Sequence, residues 1–135
     1  MKKILGLIIL SLFFYNSAFA KSASVVIPNS SVEDVKSKLI DTHLDQGYDI
    51  GQETNNRITF EKEVKGLKVR LLMGFLSDNV KTFQRDKFNF SKRDSGVKVF
   101  LSTELFSGEE VVKLESDATI KSNEEWLETW VSNNF

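Results

Sequence analysis

The sequence predicts an α+β domain in which an antiparallel meander sheet of about six to seven strands carries an N-terminal and a C-terminal helix packed on one face. Three observations predict it. Apolar residues recur at 3.6-type spacing in the stretch from Val32 to Gln46, the period falls to two between Tyr48 and Ile120, and a second helix signature opens at Ser122. Turn residues at Asn55-Asn56, Lys65-Gly66, Asp94-Ser95-Gly96 and Ser107-Gly108 cut the middle stretch into strands.

Taken in order, Ser24 to Ile27 is a short β-rich run that ends at Pro28, the only proline of the chain. Ser30 or Ser31 then supplies an N-cap, and Glu33 completes a capping box with Ser30. Val32, Val35, Leu39, Ile40 and Leu44 form the apolar stripe of the first helix. Gly47 stands where a left-handed C-terminal cap is wanted, with Tyr48 behind it to pack on the last turn. In the meander, apolar residues must meet on one face, and this sets an expected register. A loop over Thr54 to Asn56 sets Ile50 against Phe60 and Glu53 against Arg57. A hairpin at Lys65-Gly66 sets Phe60 against Leu71, and Glu61 against Arg70 on the other face. At the Asp94 turn, Lys92 pairs with Val97, Phe88 with Leu101, and Arg85 with Glu104. A two-residue turn at Ser107-Gly108 sets Leu101 against Leu114, Thr103 against Val112, and Lys98 against Asp117. Phe60, Leu71, Phe88 and Leu101 are the expected core. Ser122 and Glu125 form the second capping box, opening a helix of about three turns that carries Trp126, Leu127, Trp130 and Val131 inward.

The first twenty residues predict location. Lys2 and Lys3 make a basic head, Ile4 to Tyr15 an almost wholly apolar run, and Ala18-Phe19-Ala20 a small-x-small cleavage site. The expectation is a signal peptide over 1–20, cleaved after Ala20, and a single domain over 21–135 in the periplasm. The apolar run falls short of the roughly 20 residues of a membrane span, so the expected product is not membrane-spanning. Without cysteine, a disulfide framework, a thiolate metal site and a Cys nucleophile are excluded. Residues 21–135 hold 16 basic against 19 acidic side chains, a net charge of −3 that argues against nucleic-acid binding. The charge is uneven: residues 57–103 carry 11 basic and 5 acidic groups, and residues 104–135 carry 2 and 8.

No Gly-x-Ser-x-Gly elbow, His-Glu-x-x-His helix or phosphate-cradling glycine loop occurs, and no cofactor or metal is expected. His43, the only histidine, reads as a surface or boundary residue near a helix C-terminus, where the helix dipole favours its charged form. Around it, Asp45 fails to open a calcium loop, because Ile50 and Asn56 stand where Gly and Glu are required. The Trp126 and Trp130 pair reads as core packing. Asp86 falls on the core face opposite Thr103, with Glu110 on the same face of the next strand. Those two carboxylates are the only candidates for a small hydrolase, by splitting acid and base roles. On the outer face, Leu72, Leu76, Phe100 and Phe106 share parity among charged neighbours and form the candidate binding surface, for an envelope protein partner or self-association.

The capped helix ending in Gly47-Tyr48, followed by Ile58-Thr59-Phe60-Glu61-Lys62 and Gly96-Val97-Lys98-Val99, resembles small exported or lipoprotein domains of unknown function in proteobacteria and their prophages. The lipoprotein members carry an acceptor Cys that this chain lacks, so the resemblance implies export without a tether. The element order is also similar to helix-grip lipid-binding folds, which implies a carrier of a hydrophobic small ligand as the alternative. The expected function is a non-enzymatic exported binding domain.

Overall fold

The computed structural model describes residues 22–66 and 81–135 and has the expected α+β architecture: an open antiparallel sheet of six strands with two helices on one face. The elements are β1 (Ala23–Pro28), α1 (Val32–Asp45), β2 (Asp49–Thr54), β3 (Arg57–Val64), β4 (Thr82–Arg93), β5 (Gly96–Ser107), β6 (Glu110–Lys113) and α2 (Asp117–Asn134). The sheet runs β1-β5-β4-β3-β2, and β6 pairs with β5 as well. β5 is long enough for two partners on one edge: β1 takes Gly96 to Leu101 and β6 takes Glu104 to Ser107.

Local capping chemistry sets the ends of α1, but the expected Ser30–Glu33 capping box does not form, because the Ser30 hydroxyl donates to the Pro28 carbonyl. Ser31 is the N-cap, and its hydroxyl accepts from the Asp34 backbone N–H. At the other end, Gly47 has φ +84°, its N–H donates to the Leu44 carbonyl, and the Tyr48 N–H reaches back to the His43 carbonyl, a Schellman cap. The β4–β5 hairpin has the expected register throughout, with Lys92 opposite Val97, Phe88 opposite Leu101, Asp86 opposite Thr103 and Arg85 opposite Glu104.

Four expectations are corrected. β3 pairs with β2 on one edge and with β4 on the other, so Phe60 faces Ile50 and Asp86, and the position expected for Leu71 is taken. Leu71, with the rest of 67–80, lies outside the described residues. The β2–β3 turn is one residue tighter, with Thr54 opposite Arg57, and a bulge between Ile50 and Glu53 restores the Ile50–Phe60 pair. The β5–β6 turn moves to Gly108-Glu109, where Gly108 supplies φ +60°. Ser107 then faces Glu110, and Leu105 faces Val112. This two-residue shift preserves parity but breaks the Leu101–Leu114, Thr103–Val112 and Lys98–Asp117 pairs. Finally, α2 starts six residues earlier than Ser122 allows. Ser116 is its N-cap, accepting from the Thr119 N–H, and Asp117 in the first turn suits the positive helix end.

The core lies between the sheet and the helices. Ile58 and Phe60 of β3, Phe88 and Phe90 of β4, and Val97, Val99 and Leu101 of β5 are buried, with α1 contributing Val35 and Leu39 and α2 contributing Leu127 and Trp130. α1 rests on β2 and β4, while α2 crosses β1 and β5. Between the helices, the Trp130 indole N–H donates to Thr42 Oγ1 at 2.9 Å and the Lys38 ammonium to the Asn134 carbonyl at 2.7 Å.

The described outer face carries a network of paired charges. Arg85 bridges Glu61 at 3.0 Å and Glu104 at 2.8 Å, and Lys87 joins Glu104 at 3.0 Å. Glu61 faces Arg85 across β3 and β4; Arg70, its expected partner, lies outside the described residues. Burial alone would push the Glu104 carboxyl up, but the hydrogen bonds and charges of Arg85 and Lys87 outweigh it and hold the group below its usual range.

Candidate functional site

Polar chemistry enters the core face at a cleft of about 140 Å³ between the C-terminal end of α1, strands β4 and β5, and α2. His43, Tyr48, Asp86, Phe88, Asn123 and Trp126 are among the residues that line it. Helix periodicity places His43 here: it follows Val35 and Leu39 at four-residue steps, so it shares their buried stripe.

His43 is therefore not a surface residue. It is 2% exposed, and its imidazole stacks on the Phe60 ring at 4.0 Å with 8° between planes. Tyr48, Phe88 and Trp126 stand around it at 5.0, 5.2 and 5.5 Å between ring centres. Burial lowers its pKa, opposed by the hydrogen bond to Leu39, so the expected charged form gives way to the neutral one. Nδ1 lies 2.9 Å from the Leu39 carbonyl oxygen, which can only accept. The neutral ring thus carries its hydrogen on Nδ1, and Nε2 is an acceptor. That acceptor faces Asp86 Oδ2 at 3.9 Å, too far for a direct hydrogen bond.

Asp86 is 8% exposed. Its Oδ1 accepts from the Gln84 amide at 3.1 Å and the Thr103 hydroxyl at 3.2 Å, and Thr103 Oγ1 accepts in turn from the Asn123 amide at 3.1 Å. This relay ties α2 to the sheet through the carboxylate. Burial pushes the Asp86 carboxyl up, although hydrogen bonds from Gln84, Thr103 and Tyr48 oppose the rise. The Tyr48 hydroxyl is pushed up to about 12 by burial, by the Asp86 charge and by its hydrogen bond to Asp86.

No protein-family model matches this chain, and no curated protein does.

The sequence-predicted residues are brought together only in part. Glu110 shares the Asp86 face but sits opposite Ser107, four residues along β5 from Thr103, about 13 Å at strand spacing, and it is exposed. The two carboxylates do not form one site, because the β5–β6 turn displaces β6 along its partner. Leu72 and Leu76 lie outside the described residues. Phe100 and Phe106 are on the outer face, both half-buried, six residues apart along β5. The Phe106 ring stacks on Phe83 at 5.3 Å beneath the Arg85 guanidinium at 4.1 Å, and Phe100 lies under the Lys98 ammonium at 5.0 Å. Trp130 is core as expected, whereas Trp126 is half-buried and walls the cleft. Among the described residues no cluster of His, Asp and Glu has the convergence of a metal site, and no helix is long and apolar enough to cross a membrane. His43, Tyr48, Gln84 and Asn123 join the site without having stood out as functional in the sequence. The four-residue spacing from Leu39 was the available signal for His43.

The buried carboxylate has a consequence for stability. Its native pKa is raised, so its favourable contribution is complete below the ordinary Asp value of 3.8 and is lost as pH rises through the elevated native value. Asp86→Asn keeps an acceptor for Gln84 and Thr103, removes the charge and turns an N–H toward His43 Nε2. Its melting temperature should exceed the wild type by several degrees near neutral pH, and the advantage should vanish near pH 4. His43 works in the opposite sense, because its native pKa is lowered. It withdraws stability as pH falls below its ordinary value of 6.5, and this acid loss should persist in the variant. Thermal unfolding across pH measures both.

Proposed function

We propose that this protein is an exported, non-enzymatic binding domain that holds a small ligand in the cleft between α1, the sheet and α2. The observation that carries the reading is the Asp86 carboxylate, retained at 8% exposure on the core face with the His43 acceptor 3.9 Å away. A buried carboxylate costs several kcal/mol of solvation unless charge or donors offset it. Leu or Val at this position would serve the fold better, and a residue that lowers stability at a cleft points to function. The aromatic walls fit binding too, since ligand pockets combine apolar surface with a few converging polar groups. The cleft's volume of about 140 Å³ beside an open sheet suits a small ligand better than a lipid.

The test uses protein recovered from the periplasm, whose intact mass should correspond to a chain starting at Lys21. Isotope-labelled protein is titrated with a library of fragments of about six to ten heavy atoms, and amide and indole resonances are followed. The expected result is a set of fragments that shift the Trp126 indole and the Gln84 and Asn123 side-chain amides. Shifts confined to Phe100 and Phe106 would move the binding site to the outer face and overturn the reading.

A further inference from the structure

Resting on the cleft as a ligand site, we infer that its ligand class is the small primary or secondary organic ammonium ion, whose N–H groups bridge His43 Nε2 and Asp86 Oδ2. Two acceptors face each other across 3.9 Å because the hydrogen of the imidazole is committed to the Leu39 carbonyl on the opposite side of the ring. A single donor atom with two hydrogens, seated about 2.9 Å from each acceptor, completes both. Water and a protonated amine meet that requirement, and the surrounding space separates them. The cleft holds about 140 Å³. One water takes roughly 30 Å³, whereas an apolar cavity of about 150 Å³ admits a benzene-sized molecule. The remaining volume is walled by Tyr48, Phe88 and Trp126, whose rings accept an apolar body and whose faces attract a cation.

Charge favours the same class. Asp86 supplies a carboxylate in a poorly solvated place, where an ionic hydrogen bond is about twice as strong as a neutral one. The α2 wall belongs to the acidic stretch 104–135, with 8 carboxylates against 2 basic side chains. Glu124 and Glu128 on that helix lie close enough for their charges to reinforce the burial that raises the Glu124 carboxyl. At the rim, the Lys62 ammonium donates to the Gln46 carbonyl at 2.9 Å and stands 5.4 Å from the Tyr48 ring. That lysine opposes an incoming cation from the outside, so Lys62→Gln should tighten binding. A quaternary ammonium satisfies the rings but has no N–H for the bridge. A neutral alcohol of the same size has neither the charge nor the second hydrogen.

Calorimetric titration of the mature chain with n-butylammonium, n-butanol and tetramethylammonium tests the inference. Butylammonium should bind at least about tenfold more tightly than either of the others, and Asp86→Asn should remove that preference. The variant is expected to fold with a higher melting temperature, and the three-ligand comparison on wild-type protein decides the matter without it. Equal binding of butanol and butylammonium would overturn the ammonium class while leaving the cleft as a site. Tetramethylammonium matching butylammonium would overturn the N–H bridge. No binding by any of the three, together with a fragment library that leaves the cleft resonances unmoved, would overturn both this inference and the site.

Discussion

Phe60→Ala should lower stability by about 3–5 kcal/mol, the range for emptying a fully buried aromatic position. Phe60 has no exposed surface, and its ring packs flat against His43 at 4.0 Å and edge-on to Phe88 at 5.9 Å. Its loss leaves a void beneath the imidazole, so the cleft geometry degrades with the core. Phe60→Leu keeps most of the volume and should cost less than about 1.5 kcal/mol. Denaturant unfolding of both variants beside wild type gives the numbers. A loss below about 1 kcal/mol for Phe60→Ala would mean that the sheet presents its other face to the helices.

Gly96→Ala should be comparably damaging for a different reason. Gly96 pairs with Arg93 on one side and Pro28 on the other, and a Cβ there would strike the Ile27 carbonyl oxygen and come within 2.8 Å of the Pro28 Cα. Both are backbone atoms that cannot swing aside. β1 would have to separate from β5, withdrawing Ala23 and Ile27, which are both fully buried. The expected cost is at least about 3 kcal/mol, at the upper end for overpacking. Hydrogen exchange should show protection lost first along β1. Gly51→Ala is the matched control: its new methyl would meet side-chain atoms of Glu61 and Thr59 and not backbone, so it should disturb their hydrogen bonds to Arg85 and Gln52 without parting the strands, and should cost less. A Gly96→Ala protein as stable as wild type would show that β1 does not pair there.

The features legible in the sequence are those decided within a few residues or across one tight turn. Ser31, Gly47 and the apolar stripe between them set α1, because caps satisfy backbone groups locally. The β4–β5 register followed from the Asp94-Ser95 turn, since a period of two admits only one pairing that joins Phe88 to Leu101 and Arg85 to Glu104. The same logic failed at Gly108, where a shift of two residues preserves parity and the hydrophobic pattern cannot tell the registers apart. It failed at Ser122 because Ser116 offers an equally good cap, and the strand-like Ile120 disguised the first turn of α2.

What only the tertiary structure decided is what joins residues distant in sequence. β4 lies beside β3 with residues 65–81 between them, and β1 pairs with β5 almost seventy residues away, so no local turn records either choice. The cleft belongs to this second category. His43, Asp86 and Trp126 come from three elements, and each alone reads as an ordinary residue. Desolvation and the 3.9 Å spacing between two acceptors arise only when the helices close on the sheet. The sequence by itself determined which residues seek the interior and where the chain turns. The fold determined which polar groups are carried inward with them, because burial is a property of packing and not of local pattern.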